Sequence, residues 1–314
     1  MKIRFGYVAL SMTLDHVTSS SLLTYTHFKK IGKVRGYEKL RKLTLSNFED
    51  LKKILHYNIR NDILFYRMTS NLIPLVTHPD VQVNLNEYRE QFQEIGCILK
   101  EHHIRLDTHP DQFCVLNSDR EEVFENTVRL LETQTRMYEL MDYPGRIILH
   151  VGGKVGGKKA ATQRFFENFA RLDSRIQKRI VIENDDKVYN IRNVLKICET
   201  LHIPMVLDYH HYKCNNNGEQ IEDYIERIFH TWGNEVPKIH FSSPKARNKK
   251  EKRSHHDYID PDSFITFLER VKFVNRDFDV MIEAKMKDVA LFHLIRLLKY
   301  KTDLKIEKNT IFLK

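Results

Sequence analysis

Ionisable side chains close six successive short runs of β-branched and apolar residues. Asp107-Thr108-His109 ends the first of them and His150 the next. Glu183-Asn184-Asp185, Asp208-Tyr209-His210-His211, Lys238-Ile239-His240 and Glu283-Ala284-Lys285 end or close the four that follow. One histidine at a strand end is ordinarily a satisfied core group. Six consecutive runs ending in His, Asp or Glu carry a different implication. Gathering so many ionisable groups in one place is costly without compensation. A divalent cation supplies that compensation, and histidines with carboxylates but no thiolate suit Mn²⁺, Zn²⁺ or Fe²⁺. The set is too large for one tetrahedral ion, which takes four ligands. Two or three ions are therefore expected, with a carboxylate such as Glu183 able to bridge two. Metals about 3.5–4 Å apart are the usual arrangement for in-line displacement at phosphorus.

The spacing of these runs predicts the elements that carry them. Strands are expected at 3–9, 63–69, 104–109, 146–151, 180–185, 204–210, 237–242 and 279–285. Helices are expected between them: 46–58 opening on a Ser46 cap, then 85–100, 119–141, 160–177, 188–201, 221–231, 261–274 and 288–298. Pro261 stands near a helix start, where a missing N–H costs little. Parallel strands need crossover helices, so eight strand–helix units imply a parallel sheet. With 314 residues, this reads as an α/β chain closed into a single-domain (β/α)8 TIM barrel. An open doubly wound sheet would need a Gly-rich turn after the first strand; Leu10-Ser11-Met12-Thr13 stands there instead. The barrel is expected over 1–298, with 299–314 a basic C-terminal tail. In this architecture the chemistry lies at the C-terminal ends of the strands, where the ionisable residues fall. Lys238 and His240 alternate, so they share a face; a lysine beside metals is repelled, and the simplest reading pairs it with a carboxylate.

Composition narrows the class. Lys plus Arg number 51 against 42 acids, a formal charge of +9. The apolar fraction is 41%, enough for a sizeable core. Cys97, Cys114, Cys198 and Cys214 include no CxxC pair, which argues against a disulfide scaffold or a thiolate zinc site and fits a reducing, cytoplasmic setting. No apolar run approaches a membrane span and no signal peptide is legible. The basic charge is concentrated. Segment 29–42 carries net +6, 245–253 net +5 and 154–159 net +3, leaving the remainder at −5. All three segments follow strands, which puts three basic loops on the face that holds the metal ligands. That pattern reads as a phosphate-backbone footprint. Gly152–Lys159 nearly forms a P-loop, but Lys159 stands where Ser or Thr should ligate Mg²⁺. In His109-Pro110-Asp111-Gln112-Phe113, Gln112 and Phe113 read as a polar–apolar pair able to wedge into a base stack. Tyr7 and Tyr209 are candidate stacking surfaces, with core packing the plainer reading of each.

At these residues the sequence resembles the ultraviolet damage endonuclease family. The matching segments are Gly6-Tyr7, Ser70-Asn71-Leu72-Ile73-Pro74, Leu106 to Gln112, Leu149-His150-Val151-Gly152-Gly153, Ile182 to Asp185, Leu207 to His211, Lys238-Ile239-His240 and Ile282 to Lys285. The resemblance implies a barrel akin to endonuclease IV holding up to three divalent ions, Mn²⁺ foremost and Zn²⁺ or Mg²⁺ as alternatives. It implies an enzyme that nicks double-stranded DNA immediately 5′ to cyclobutane pyrimidine dimers and 6-4 photoproducts, with abasic sites as a further substrate; a monomer is expected. The nick leaves 3′-hydroxyl and 5′-phosphate ends. Carried over, His109, His150 and Glu183 hold one metal; Glu183, Asp208, His240 and Glu283 a second; His211 with His256, or its neighbour His255, a third. Glu183, Lys238, His240 and Glu283 form the catalytic set, and Lys238 falls where the family carries a modified lysine. Tyr7, His78, Gln112 and Phe113 face the DNA or lesion. The family's probing pair is commonly Gln-Tyr, so Phe113 lacks a hydroxyl.

Two other classes compete. A sugar isomerase or epimerase of the xylose-isomerase-like barrel class also uses Glu, Asp and His at strand ends, but predicts a neutral or acidic mouth and gives no reason for three basic segments. A non-enzymatic DNA-binding module has no use for the full ligand set.

Overall fold

In a computed structural model, which describes residues 1–246, 248 and 251–313, eight strands follow one another around a closed parallel barrel. They are β1 (Lys2–Val8), β2 (Phe65–Met68), β3 (Arg105–Thr108), β4 (Arg146–His150), β5 (Ile180–Glu183), β6 (Met205–Asp208), β7 (Lys238–Phe241) and β8 (Phe278–Ile282). Ile3–Tyr7 pair with Phe278–Ile282, and Tyr7 and Val8 pair with Tyr66 and Arg67, which closes the ring. All eight expected strands are present; each stops short of its expected C-terminal end, and β1 and β8 begin one residue earlier than expected. Outside them run α1 (Tyr25–Ile31), α2 (Lys33–Arg60), α3 (Arg89–Glu101), α4 (Glu121–Leu140), α5 (Lys158–Ala170), α6 (Ser174–Gln177), α7 (Ile191–Leu201), α8 (Tyr209–Cys214), α9 (Ile225–His230), α10 (Pro261–Val271) and α11 (Lys287–Lys301). Asn190 caps α7 by accepting the Asn193 N–H at 3.1 Å, and Asp260 caps α10 with Pro261 in its first turn.

Two features depart from the sequence reading. Segment 29–42 is helical, not a loop: α2 starts at Lys33 and passes through Ser46 without a break. Its residues there are mainly good helix formers, and Leu40 and Phe28 pack with Leu23 and Val81 in a small satellite core. A 28-residue helix is about 42 Å long, far longer than β1. It ends just before β2 begins, so its first turns overhang the mouth. Second, the expected basic tail is structured. The boundary at 298 falls inside α11, and β9 (Lys305–Glu307) and β10 (Thr310–Phe312) form a hairpin. β10 lies antiparallel on Lys2–Arg4, the part of β1 that β2 is too short to reach. Exposed strand edges carry unpaired backbone groups, and this hairpin covers one.

Alternation sorts each barrel strand into two faces. Outward residues such as Leu106 and Ile182 join the main core between barrel and helices. Ile148, Val181 and Val206 form a separate cluster with Trp232, whose Nε1 donates to the Met205 carbonyl at 2.7 Å. Strands β1 and β2 approach so closely that a Cβ on Gly6 would sit 2.2 Å from the Phe65 carbonyl oxygen, so only glycine fits.

Candidate metal centre

Six side chains meet at the mouth because each stands at or next to the C-terminal end of its strand, on the inward face. Register sets His150 beside Glu183 and Asp208 beside His240. His109 Nε2 lies 2.9 Å from Glu183 Oε2. His240 Nδ1 lies 3.1 Å from Glu183 Oε1 and 3.2 Å from Glu283 Oε1. His211, from the first turn of α8, puts Nδ1 3.4 Å from Glu183 Oε1 and 3.6 Å from Asp208 Oδ2. Asn184 locks the ends of β5 and β6 together: its amide donates to the Asp208 carbonyl and accepts the Asp208 N–H, both at 2.9 Å. Asp208 Oδ1 then accepts the His211 N–H at 2.7 Å.

These donors fall into three overlapping groups, each with ligand atoms within 4.8 Å of one another: His109–His150–Glu183, Glu183–Asp208–His211 and Asp208–His240–Glu283. Glu183 is shared by the first two and Asp208 by the last two. His150 Nδ1, Asp208 Oδ2 and both His240 ring nitrogens are buried without a hydrogen-bond partner. Close approach without hydrogen-bond geometry is costly for a purely structural cluster and is what a set of ligands aimed at cations looks like. The residues fit divalent ions.

Electrostatics agree with the geometry. Burial drives the His150 pKa down, with His109 and His211 adding to the effect, so its ring is held neutral, the form that ligates. Burial pushes Asp208 up to about 7, with Glu183 and Glu283 reinforcing it. Glu183 lies well below the usual carboxylate range because His240, His150 and His109 outweigh its burial. Burial opposes Glu283 too, but Arg67 and His240 bring it to about 2.

The mouth opens into a groove of about 790 Å³ bordered by His150, His211, Asp185, Arg253, Gln112 and Phe113. Phe113 is 76% exposed at the tip of its loop, whose turn is held by Phe113 N–H donating to Asp111 Oδ1 at 2.8 Å. The Phe113 ring is thus free to meet whatever enters the groove. Gly152, which also borders the groove, packs its backbone against the segment that follows Phe113: φ is +111° and a Cβ would strike Asn117 Oδ1 at 2.3 Å.

A model of the UV-endonuclease UvdE family matches residues 3–311. The chain belongs to that family. A UV DNA damage endonuclease of Bacillus thuringiensis subsp. konkukian is 40% identical over 304 residues, spanning 94% of each chain. The crystal structure of SacUVDE matches with a TM-score of 0.85 at 34% identity, covering 95% of this chain and 99% of that one. Endonuclease IV from Thermus thermophilus matches with a TM-score of 0.58 at 12% identity, over 95% and 100% of the two chains. That last likeness shows the barrel fold alone. UvdE kinship does not favour the sugar-isomerase alternative.

At this site, three expected placements need correction: those of His256, Tyr7 and His78. His256 is exposed and turned away: its Nδ1 accepts the Tyr258 N–H at 3.0 Å. His255 faces the cluster instead, with Nδ1 3.8 Å from Glu283 Oε2. Pro244 and His255 form an antiparallel bridge, and neighbours in an extended segment point to opposite sides. Tyr7 offers no stacking surface; it is buried, donates to Asn58 Oδ1 at 2.7 Å and meets Tyr66 edge-on. Tyr209 follows its plainer reading and stacks on Phe241 inside the core. His78 stacks on Tyr25 at 3.8 Å and accepts the Asp80 N–H, in the satellite unit and apart from the three donor groups. Lys238 is fully buried one step below His240. It donates to Asp107 and lies over the Phe65 and Trp232 rings, so the carboxylate-paired reading holds. Burial brings its ammonium down to about 8, while Asp107 opposes. Of the basic segments, Arg247, Lys249 and Lys250 lie outside the described residues. Two residues that shape the site went unread in the sequence. Arg67 donates to Glu283; its signal was a charged residue inside an otherwise apolar strand. Asn184 showed only as one letter of a polar strand end.

Proposed function

We propose that this chain is a metal-dependent endonuclease that nicks double-stranded DNA immediately 5′ to UV photoproducts, with Mn²⁺ the leading candidate ion. The carrying observation is the chain of three donor groups sharing Glu183 and Asp208, set in a groove that also presents exposed Phe113. The names of the 34–40% identical relatives support the same reading. His109, His150, Glu183, Asp208, His211, His240 and Glu283 would hold the ions, with His255 close to Glu283. Bound divalent ions would supply positive charge for a phosphodiester and lower the pKa of water. The chain's own residues do the rest. Shared carboxylates fix the spacing of the groups, and Asn184 fixes Asp208 from behind. Gln112 and Phe113 stand where a wedge could occupy the gap left by displaced, weakly stacked nucleotides. Basic residues on α1, the start of α2 and the loop before α5 would meet the DNA backbone. Lys238 leaves the catalytic set and acts as support beneath His240.

The deciding test uses an end-labelled duplex with one thymine dimer, with Mn²⁺ or EDTA, beside undamaged and abasic-site duplexes. A Mn²⁺-dependent cut immediately 5′ to the dimer is expected. Cutting only the abasic duplex would reassign the substrate, and cutting none with metal present would overturn the reading. Replacing both Gln112 and Phe113 with Ala should weaken lesion binding by about 1–3 kcal/mol per lost stack with metal content intact. Loss of metal from that variant would make the loop structural.

A further inference from the structure

A second pocket, of about 440 Å³, opens beside Glu283, His255 and His109, whereas the larger groove opens beside His150 and His211. Arg67, Lys285 and Lys287 line it. Arg67 is 6% exposed. One of its terminal nitrogens donates to Glu283, while its buried Nε has no hydrogen-bond partner. Lys287 is half-buried at the first position of α11, on a left-handed backbone with φ 48°. Burial and the like charge of Arg67 lower its pKa, and Glu283 opposes. Lys285, on the rim, is 3.9 Å from Asp257. Arg67 already neutralises Glu283 in a direct ion pair, and Lys287 brings a further cation to the same pocket. A guanidinium and an ammonium lining one pocket suit an anion with several acceptor oxygens.

We propose that this pocket is a phosphodiester subsite that takes a DNA backbone phosphate neighbouring the scissile one, between Arg67 and Lys287. The DNA part of this inference rests on the proposed function; the anion chemistry does not. Contacts of this type position a duplex without reading its sequence.

Arg67 touches a metal-ligand candidate, so the test uses Lys287. Lys287→Met removes the charge at similar length, and Lys287→Arg restores it. Metal-free proteins are titrated with inorganic phosphate, followed by ³¹P line broadening. Lys287→Met should bind about tenfold more weakly and Lys287→Arg within a few-fold of the parent, the scale of one charge-assisted hydrogen bond. Equal binding by all three overturns the subsite. In parallel, photoproduct duplexes each carrying one neutral methylphosphonate are bound with the metal-loaded proteins. One position near the nick should cost the parent about tenfold and cost Lys287→Met nothing further, and the salt slope of Lys287→Met should fall by about 0.9. Position-independent losses, equal in both proteins, overturn the DNA assignment. If the parent does not nick photoproduct DNA, the proposed function fails, and the phosphate titration alone still decides the pocket.

Discussion

The barrel interior holds two layers of charge that obey opposite rules. At the floor, Asp279 is fully buried between Arg4 and Arg105, each at 2.7 Å, and one step up Lys238 meets Asp107. Every cation there faces a carboxylate. At the mouth, about 7–13 Å further along the strands by the rise per residue, carboxylates crowd one another, Arg67 pairs with Glu283 alone, and His150 and His240 carry ring nitrogens with no hydrogen-bond partner. The same strands carry both: Asp107 leads to His109, Lys238 to His240, Asp279 to Glu283. Charge matched in place holds a fold together, whereas charge left unmatched waits for a ligand.

Glu183→Gln should break the mouth and spare the floor. It removes the carboxylate shared by two donor groups, so cleavage should fall on the order of a thousandfold or more, the scale of several kcal/mol of transition-state stabilisation. Near-normal cleavage with reduced metal content would sink the assignment. Asp279→Asn should do the reverse. It strands two arginines, and stability should drop by about 3 kcal/mol in denaturant melts, while metal content per folded molecule stays the same. A loss of metal there would mean the layers are coupled. The comparison sharpens at adjacent histidines. His255→Ala should weaken binding of an ion by about ten- to hundredfold, and His256→Ala should leave it unchanged; equal effects in metal titrations would contradict the geometry.

A smaller effect is acid competition. Asp208 titrates at about 7 and must release its proton to ligate, so metal affinity should rise about tenfold per pH unit up to 7. His211 is held above its ordinary range because Asp208 and Glu183 outweigh its burial. The rise should therefore continue past pH 7. A flat profile between pH 6 and 8 would show that neither group binds metal.

The barrel and its donor set were legible because both are written in local pattern: alternation of apolar runs and helical periods, and polar residues at run ends. Glu183 as the bridging carboxylate could be anticipated on that ground. Asp208 as a second shared carboxylate could not, because it depends on where His211 lands once α8 turns back over the mouth. The choice between His255 and His256 rests on a bridge to Pro244, a pairing with no local signal. Lys238 illustrates the same limit: its face was readable, but its partner Asp107 lies across the barrel. Tyr7 and His78 went astray because family position says which residue stands somewhere, whereas Asn58 and Tyr25 decide where its ring points.

The hairpin on β1 also orders the events of synthesis. Lys2–Arg4 are made about 300 residues before Thr310–Phe312, the segment that covers their outer edge. Until that later segment is made, β1 is an open template for pairing with another chain. A chain halted shortly before residue 310 would keep every proposed metal ligand and still carry an adhesive edge, so aggregation rather than inactivity would be its characteristic defect.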